Sequence, residues 1–278
     1  MKQIAPGPLY GFFAADKQTR SVLMTAFFII GVLAVVFVAA LVDPRTLNGV
    51  NIWTKPLKFS IALVVHGFTI AILMQQLTVK QRTGWLMGGV TAAYGAAIAF
   101  ETAYISIQSM RGRASHYNNE TILEQVLYGF MGFGAVLLVM LPMVIALLVW
   151  RQRGQPWTGY RLGTVLGCLI GPILTMVYGF TLSFGDSHFV GAPPGALDVP
   201  GLPFLGWSTQ YADLRPAHFF ALHMIQASPL TGWLMDRFVT TGSYTPARLA
   251  AMAISIVFAG LSTWLFFNAM AGNVIPFV

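Results

Sequence analysis

The sequence predicts an all-α, polytopic membrane protein: a seven-transmembrane-helix bundle with its N-terminus in the cytoplasm. Three observations carry that prediction. Only 9% of the residues are charged and 56% are hydrophobic, whereas a soluble domain carries about 25% charged residues. Seven apolar stretches recur along the 278 residues, each near the ~20 residues that cross a bilayer. Summed over alternate ends of these stretches, Lys and Arg number ten on one side and six on the other, the kind of bias that orients membrane helices.

The expected spans are 21–42, 57–78, 84–108, 122–150, 161–184, 217–236 and 248–271, all within one membrane domain, 1–278. The stretch before the first span is mixed and holds Pro6, Pro8, Asp16 and Lys17. No cleavage pattern follows, so Ser21–Val42 reads as a span and not as a signal peptide. The second span enters through Trp53-Thr54-Lys55-Pro56, with the proline in the first turn, where a missing N–H costs nothing. The third contains Gly88-Gly89 and Gly95-Ala96-Ala97, small residues that let helices approach and that place this span centrally. Glu120 and Glu124 flank the start of the fourth, where carboxylates suit a helix N-terminus. Cys168, the single cysteine, lies in the apolar fifth span as a small packing residue. Between the fifth and sixth spans, Gly185–Pro216 is broken by Pro193-Pro194-Gly195, Pro200-Gly201 and Pro203, so it reads as an irregular cover over one end of the bundle.

Lys2, Lys17, Arg20, Lys80, Arg82, Arg151, Arg153, Arg161, Arg237 and Arg248 fall on one side, ten in all, against six on the other (Arg45, Lys55, Lys58, Arg111, Arg113, Arg215). The first side is therefore expected to be cytoplasmic. Seven of the nine acids, including Asp43, Glu101, Asp186, Asp198 and Asp213, lie toward the other side, as do all five histidines or else in the interior. This asymmetry also explains the net charge of +7 without nucleic acid.

The outer half is where a site is expected. Glu101, Tyr104, Gln108 and Arg111 are spaced by three, four and three residues and form one helical stripe. A carboxylate inside an apolar helix needs a partner or a task. Glu101, Arg111 and His116 form the candidate catalytic set, and Lys58, Arg113, Asn118 and Arg215 the candidate substrate-binding set for an anionic group. The bland alternatives are a structural ion pair for Glu101, snorkelling for Lys55 and Lys58, and a solvated basic loop around Arg111 and Arg113. His66 and His223, each about 8–12 Å from the outer end of its helix at 1.5 Å per residue, are expected at the depth of Glu101. Two imidazoles and a carboxylate suit zinc or non-haem iron. His218 is a further metal candidate, although five residues from His223 is not chelating spacing. A haem held by one or two histidines and a protein with no cofactor both remain open. Asp186, His188, Trp207, Tyr211 and Asp213 read either as a lid or as ordinary interfacial residues.

The strings Trp53-Thr-Lys-Pro-Leu-Lys-Phe59, Arg111-Gly-Arg-Ala-Ser-His-Tyr-Asn118 and Arg215-Pro-Ala-His-Phe-Phe-Ala-Leu-His223 resemble stretches of uncharacterised bacterial membrane proteins, a resemblance that carries no activity. The arrangement also resembles the seven-helix membrane hydrolases of the alkaline ceramidase and adiponectin receptor class. Those place a zinc-binding His on an early helix, an acid nearby and a His pair on the last helix. His66 and Glu101 match. The pair here departs, lying in the sixth span at a spacing of five, and Ser60 is six residues before His66, where the class has a closer serine. The likeness is one of arrangement and does not make the chain a member.

The expectation is thus a metal-dependent enzyme of the bacterial inner membrane, multi-pass, with its site facing the periplasm or exterior and an amphipathic or lipid-like substrate. The alternatives are a haem or non-haem iron redox protein, and a small-solute or proton-coupled transporter or receptor.

Overall fold

The computed structural model describes residues 16–118, 120–185, 187–193, 199–239 and 242–275. Lys2, Pro6, Pro8, Asp186, Pro194, Gly195 and Asp198, which enter the expectations above, lie outside them. The described chain is helical throughout, with eight helices and two short strand pairs.

Helix α1 (Lys17–Val42) starts where the Asp16 side chain accepts the Thr19 N–H at 3.0 Å. Strands β1 (Thr46–Leu47) and β2 (Val50–Asn51) form a hairpin across Asn48-Gly49. Both turn residues have positive φ, 53° and 73°, the geometry for which Asn-Gly is the favoured pair. Helix α2 (Thr54–Met74) ends four residues short of the expected Thr78. The reason is local: Thr78 and Gln81 form a capping box that starts a separate short helix, α3 (Val79–Thr83). Helix α4 (Trp85–Met110) ends in a Schellman motif. Gly112, at φ 66°, donates to the Ser109 carbonyl and Arg113 donates to that of Gln108.

Helix α5 (Ile122–Trp150) starts at Thr121, whose hydroxyl accepts the Glu124 N–H. Helix α6 (Gly159–Phe184) is capped by Thr158. Strands β3 (Phe189–Val190) and β4 (Ala212–Asp213) pair antiparallel, so the long connection returns to the start of α7 (Arg215–Phe238). Helix α8 (Thr245–Met270) follows. Six helices, α1, α2, α4, α5, α6 and α8, are long and apolar enough to cross a membrane. Helix α7 occupies the expected sixth span and its 24 residues reach about 36 Å. It carries His218, His223, Gln226, Asp236 and Arg237 and is the less apolar one.

The described residues group into two compact units. The first comprises those up to Ser115 together with Gly129–Leu141, and the second His116–Tyr128 together with those from Pro142 on. In the first, α1 packs on α2 and α4, and α2 on α4. Ala26 and Ile29 of α1, Ile70 and Met74 of α2, and Met87 and Tyr94 of α4 are almost fully buried.

In the second unit α6, α7 and α8 pack on one another. Gly159, Gly163, Gly167 and Gly171 recur every fourth residue along α6 and form one face. A side chain on Gly163 or Gly167 would collide with the Ser228 or Met224 backbone of α7, and one on Gly171 would lie 2.8 Å from the Ala221 carbonyl. This corrects the expectation placed on the third span. Gly89 faces open space, and Gly88 and Gly95 meet only side-chain atoms of α1, at 3.6 Å. Close approach depends on which face the glycines share, and adjacent glycines point about 100° apart.

The cytoplasmically assigned charges also have structural tasks. Asp236 of α7 accepts the Gly159 and Tyr160 N–H groups at 2.9 and 2.7 Å, capping the first turn of α6. Arg82 pairs with Asp16 at 3.2 Å.

Candidate functional site

The polar stripe of α4 is built in the first unit. Arg111 donates to Gln108 Oε1 at 2.8 Å, and Gln108 Nε2 donates to the Tyr104 hydroxyl at 3.1 Å. Gln108 is fully buried, Tyr104 nearly so, and Arg111 is exposed at the helix end. The stripe therefore descends from the surface into the unit as a chain of hydrogen bonds. One turn below Tyr104 lies Glu101, only 2% exposed. Its Oε1 is buried and meets no hydrogen-bond partner among the described residues.

The seat of Glu101 is Gly134 of α5. A β-carbon there would stand 2.6 Å from Glu101 Oε1 and 3.4 Å from its Cδ and Cγ. Gly134 thus makes the room that the carboxyl fills. Lys55, in the first turn of α2, is the cation whose field reaches it. Phe100 packs on Tyr104 and Phe130, walling the stripe with aromatic rings.

His66 lies elsewhere in the same unit. Its Nδ1 is 3.0 Å from the hydroxyl of Tyr94, and the two rings stack at 5.6 Å. Tyr94 precedes Glu101 by seven residues, two turns or about 10 Å along α4. The partner that α4 offers His66 is thus two turns from Glu101, because depth counted from each helix end neglects the stagger between helices. Lys58 is half-buried on α2, one turn beyond Lys55.

Arg113 is exposed in the first unit, and the remaining candidates belong to the second. His116 lies against Tyr128 at 5.5 Å, and the Asn118 side chain accepts the Glu120 N–H at 3.2 Å. Tyr117, at φ 55°, donates its hydroxyl to the Leu182 carbonyl at 2.8 Å. Burial pushes its phenol above the ordinary range, with Tyr128 and Asp213 adding to the effect and Arg215 opposing it. Arg215 pairs with Asp213 at 2.6 Å, and Asp213 also accepts the Ser208 N–H. That ion pair ties the long connection to the start of α7. His218 lies beneath Gly179 with its buried Nδ1 meeting no partner among the described residues, while His223 Nδ1 lies 3.2 Å from Gln226 Oε1. Among the described residues no three or more His, Cys, Asp or Glu are grouped to hold a metal ion.

Sequence reasoning missed a polar knot in the first unit. Asp43 accepts from Arg45 and from the Trp53 indole at 3.0 Å, Asn51 donates to the Asp43 carbonyl, and Arg45 reaches the Met110 carbonyl at the end of α4. The hydrogen bond from Arg45 first, and that from Trp53 second, hold the Asp43 carboxyl well below the usual carboxylate range. Asp43 and Trp53, ten residues apart around an Asn-Gly turn, were the available signal. Compared with protein-family models, curated proteins and solved structures, the chain finds no match in any of the three.

Proposed function

We propose that this chain is a membrane-embedded enzyme that acts on an amphipathic, anionic substrate through Glu101 as its proton-transferring group. The observation that carries the reading is the buried Glu101 oxygen, seated on Gly134 with no partner among the described residues. A carboxyl so placed is raised in energy as an anion and is poised to take or give a proton once a substrate group enters. The chain Tyr104–Gln108–Arg111 leads to it from the surface, and Arg111 supplies a cation where an anionic head group would arrive. Arg113, exposed beyond the Schellman turn, adds a second. The apolar remainder of the substrate would lie in the bilayer.

The proposed setting is the bacterial inner membrane, with seven spans, the N-terminus cytoplasmic and Glu101 in the outer half. Counting α7 as a span is supported by a polar contact with a neighbouring span, where Ser228 bonds Ser255 of α8 at 2.9 Å. A reporter fused at Gln155 is then cytoplasmic and one after Val278 periplasmic.

The test of the activity is reconstitution with a total polar lipid extract, followed by mass spectrometry of every lipid species. Wild-type protein is expected to consume or modify at least one anionic species, and E101Q to leave all of them unchanged while folding normally. A lipid pool untouched by the wild type, together with proton flux driven by an added solute, would replace the enzyme with a proton-coupled transporter. A bound zinc, iron or haem is a separate proposal, checked by elemental analysis and the visible spectrum of the purified protein.

A further inference from the structure

The turn between α5 and α6 is more elaborately built than a connection needs to be. Arg161, in the first turn of α6 and only 4% exposed, reaches back to the end of α5. It donates to the carbonyls of Val149, Gln152 and Gln155 at 2.8, 2.6 and 2.6 Å, and its guanidinium lies 4.4 Å from the Trp157 ring. Carbonyls at a helix C-terminus lack partners within the helix and carry partial negative charge, so one cation both satisfies and neutralises them. Gly154, at φ 75°, lets the chain reverse inside this clamp.

Because Arg161 serves the carbonyls, Arg151 and Arg153 are not needed there. Both are exposed, and no carboxylate pairs with either among the described residues. With Trp150 and Gln152 they line a shallow, open surface cleft. Trp150 is the last residue of an apolar helix and is 56% exposed, the character of an aromatic side chain at the membrane–water boundary.

We propose that this cleft binds the phosphate of an anionic phospholipid. Each guanidinium presents its N–H donors in a planar fork that suits phosphate oxygens in paired hydrogen bonds. Basic pockets at the ends of membrane helices are where anionic head groups settle. A water-soluble phosphate would meet the same cations but would leave the apolar face of Trp150 unused, which favours the lipid. Arginines that served only to orient the helices would need charge alone, with no clamped turn beneath them. The site is independent of Glu101, and it stands or falls without the enzyme reading.

The experiment is native mass spectrometry of the full chain in mild detergent, titrated with phosphatidylglycerol, with phosphatidylcholine and with inorganic phosphate. Wild type is expected to prefer phosphatidylglycerol over phosphatidylcholine, and R151Q/R153Q to lose about 30-fold in that binding, from two surface cations. R151K/R153K preserves the charge that orients the helices and is expected to bind several-fold more weakly than wild type, since it lacks the paired geometry. A reporter at Gln155 checks that topology is unchanged in each variant. Equal binding of the two lipids, equal binding by R151Q/R153Q, or displacement of lipid by equimolar inorganic phosphate would overturn the proposal.

Discussion

In the second unit α6 meets α7 backbone to backbone, through glycines spaced by four. In the first, α1, α2 and α4 meet through side chains, and the glycines of α4 touch nothing closer than 3.6 Å. The interlocked unit pairs Ser228 with Ser255, Tyr178 with Thr263 and Asp236 with the start of α6, and leaves Thr175 Oγ1 and His218 Nδ1 buried without a partner among the described residues. The side-chain-packed unit holds a buried carboxyl oxygen, that of Glu101, that meets no partner among the described residues. Dense backbone contact suits a scaffold, because it fixes one geometry. A group that must change its protonation or accept a ligand belongs where neighbouring side chains can adjust.

The largest expected effect breaks this contrast directly. Gly163→Leu forces a side chain into the Ser228 main chain, which cannot yield as a side chain would. The loss should reach about 3 kcal/mol or more and show as failure to survive detergent extraction. Gly89→Leu, placed against open space, should change stability by no more than roughly 0.5 kcal/mol. Comparable losses from both substitutions would remove the distinction between the units.

Next comes the seat of Glu101. Gly134→Ala should destabilise by about 1–3 kcal/mol through its contact with the carboxyl. In an E101A background the same change should be close to neutral, giving a coupling that thermal melts of the four proteins measure. A weaker effect is expected at the α6 cap, where D236A leaves two N–H groups without their acceptor, at about 1–2 kcal/mol in a melt.

The smallest concerns pH. Asp43 is held below the ordinary carboxylate range by Arg45 and Trp53, so its contribution is full above that range. It fades as pH falls through the lowered value. Trp53 fluorescence should therefore titrate only in strong acid in the wild type, and not at all in D43N. A transition at ordinary carboxylate pH would show that the knot does not form.

Much of this architecture was legible in local sequence. Hydropathy located all seven long helices within a few residues, because a bilayer-length apolar run leaves the chain little choice. The Asn48-Gly49 hairpin, the Thr78–Gln81 capping box and the Gly112 stop each have local signatures that the hydropathy reading passed over. The stripe Tyr104–Gln108–Arg111 followed from spacing, since residues three and four apart must be neighbours on a helix. The pairing of His66 with Tyr94 was not legible, nor was the seat of Glu101 on Gly134. Each depends on the tilt and stagger of two helices, which no single segment encodes.

The glycine face of α6 also sets an order of events during synthesis. Each interior glycine costs about 1 kcal/mol of helix stability relative to alanine, and α6 has three of them, Gly163, Gly167 and Gly171, on the side that α7 will cover. Ser228, the residue that closes over Gly163, follows it by 65 residues. At roughly 5–20 residues per second, α6 waits for several seconds with that face unoccupied. A nascent chain halted before α7 emerges would carry an unfinished helix, the state in which quality-control proteases of the membrane would find it.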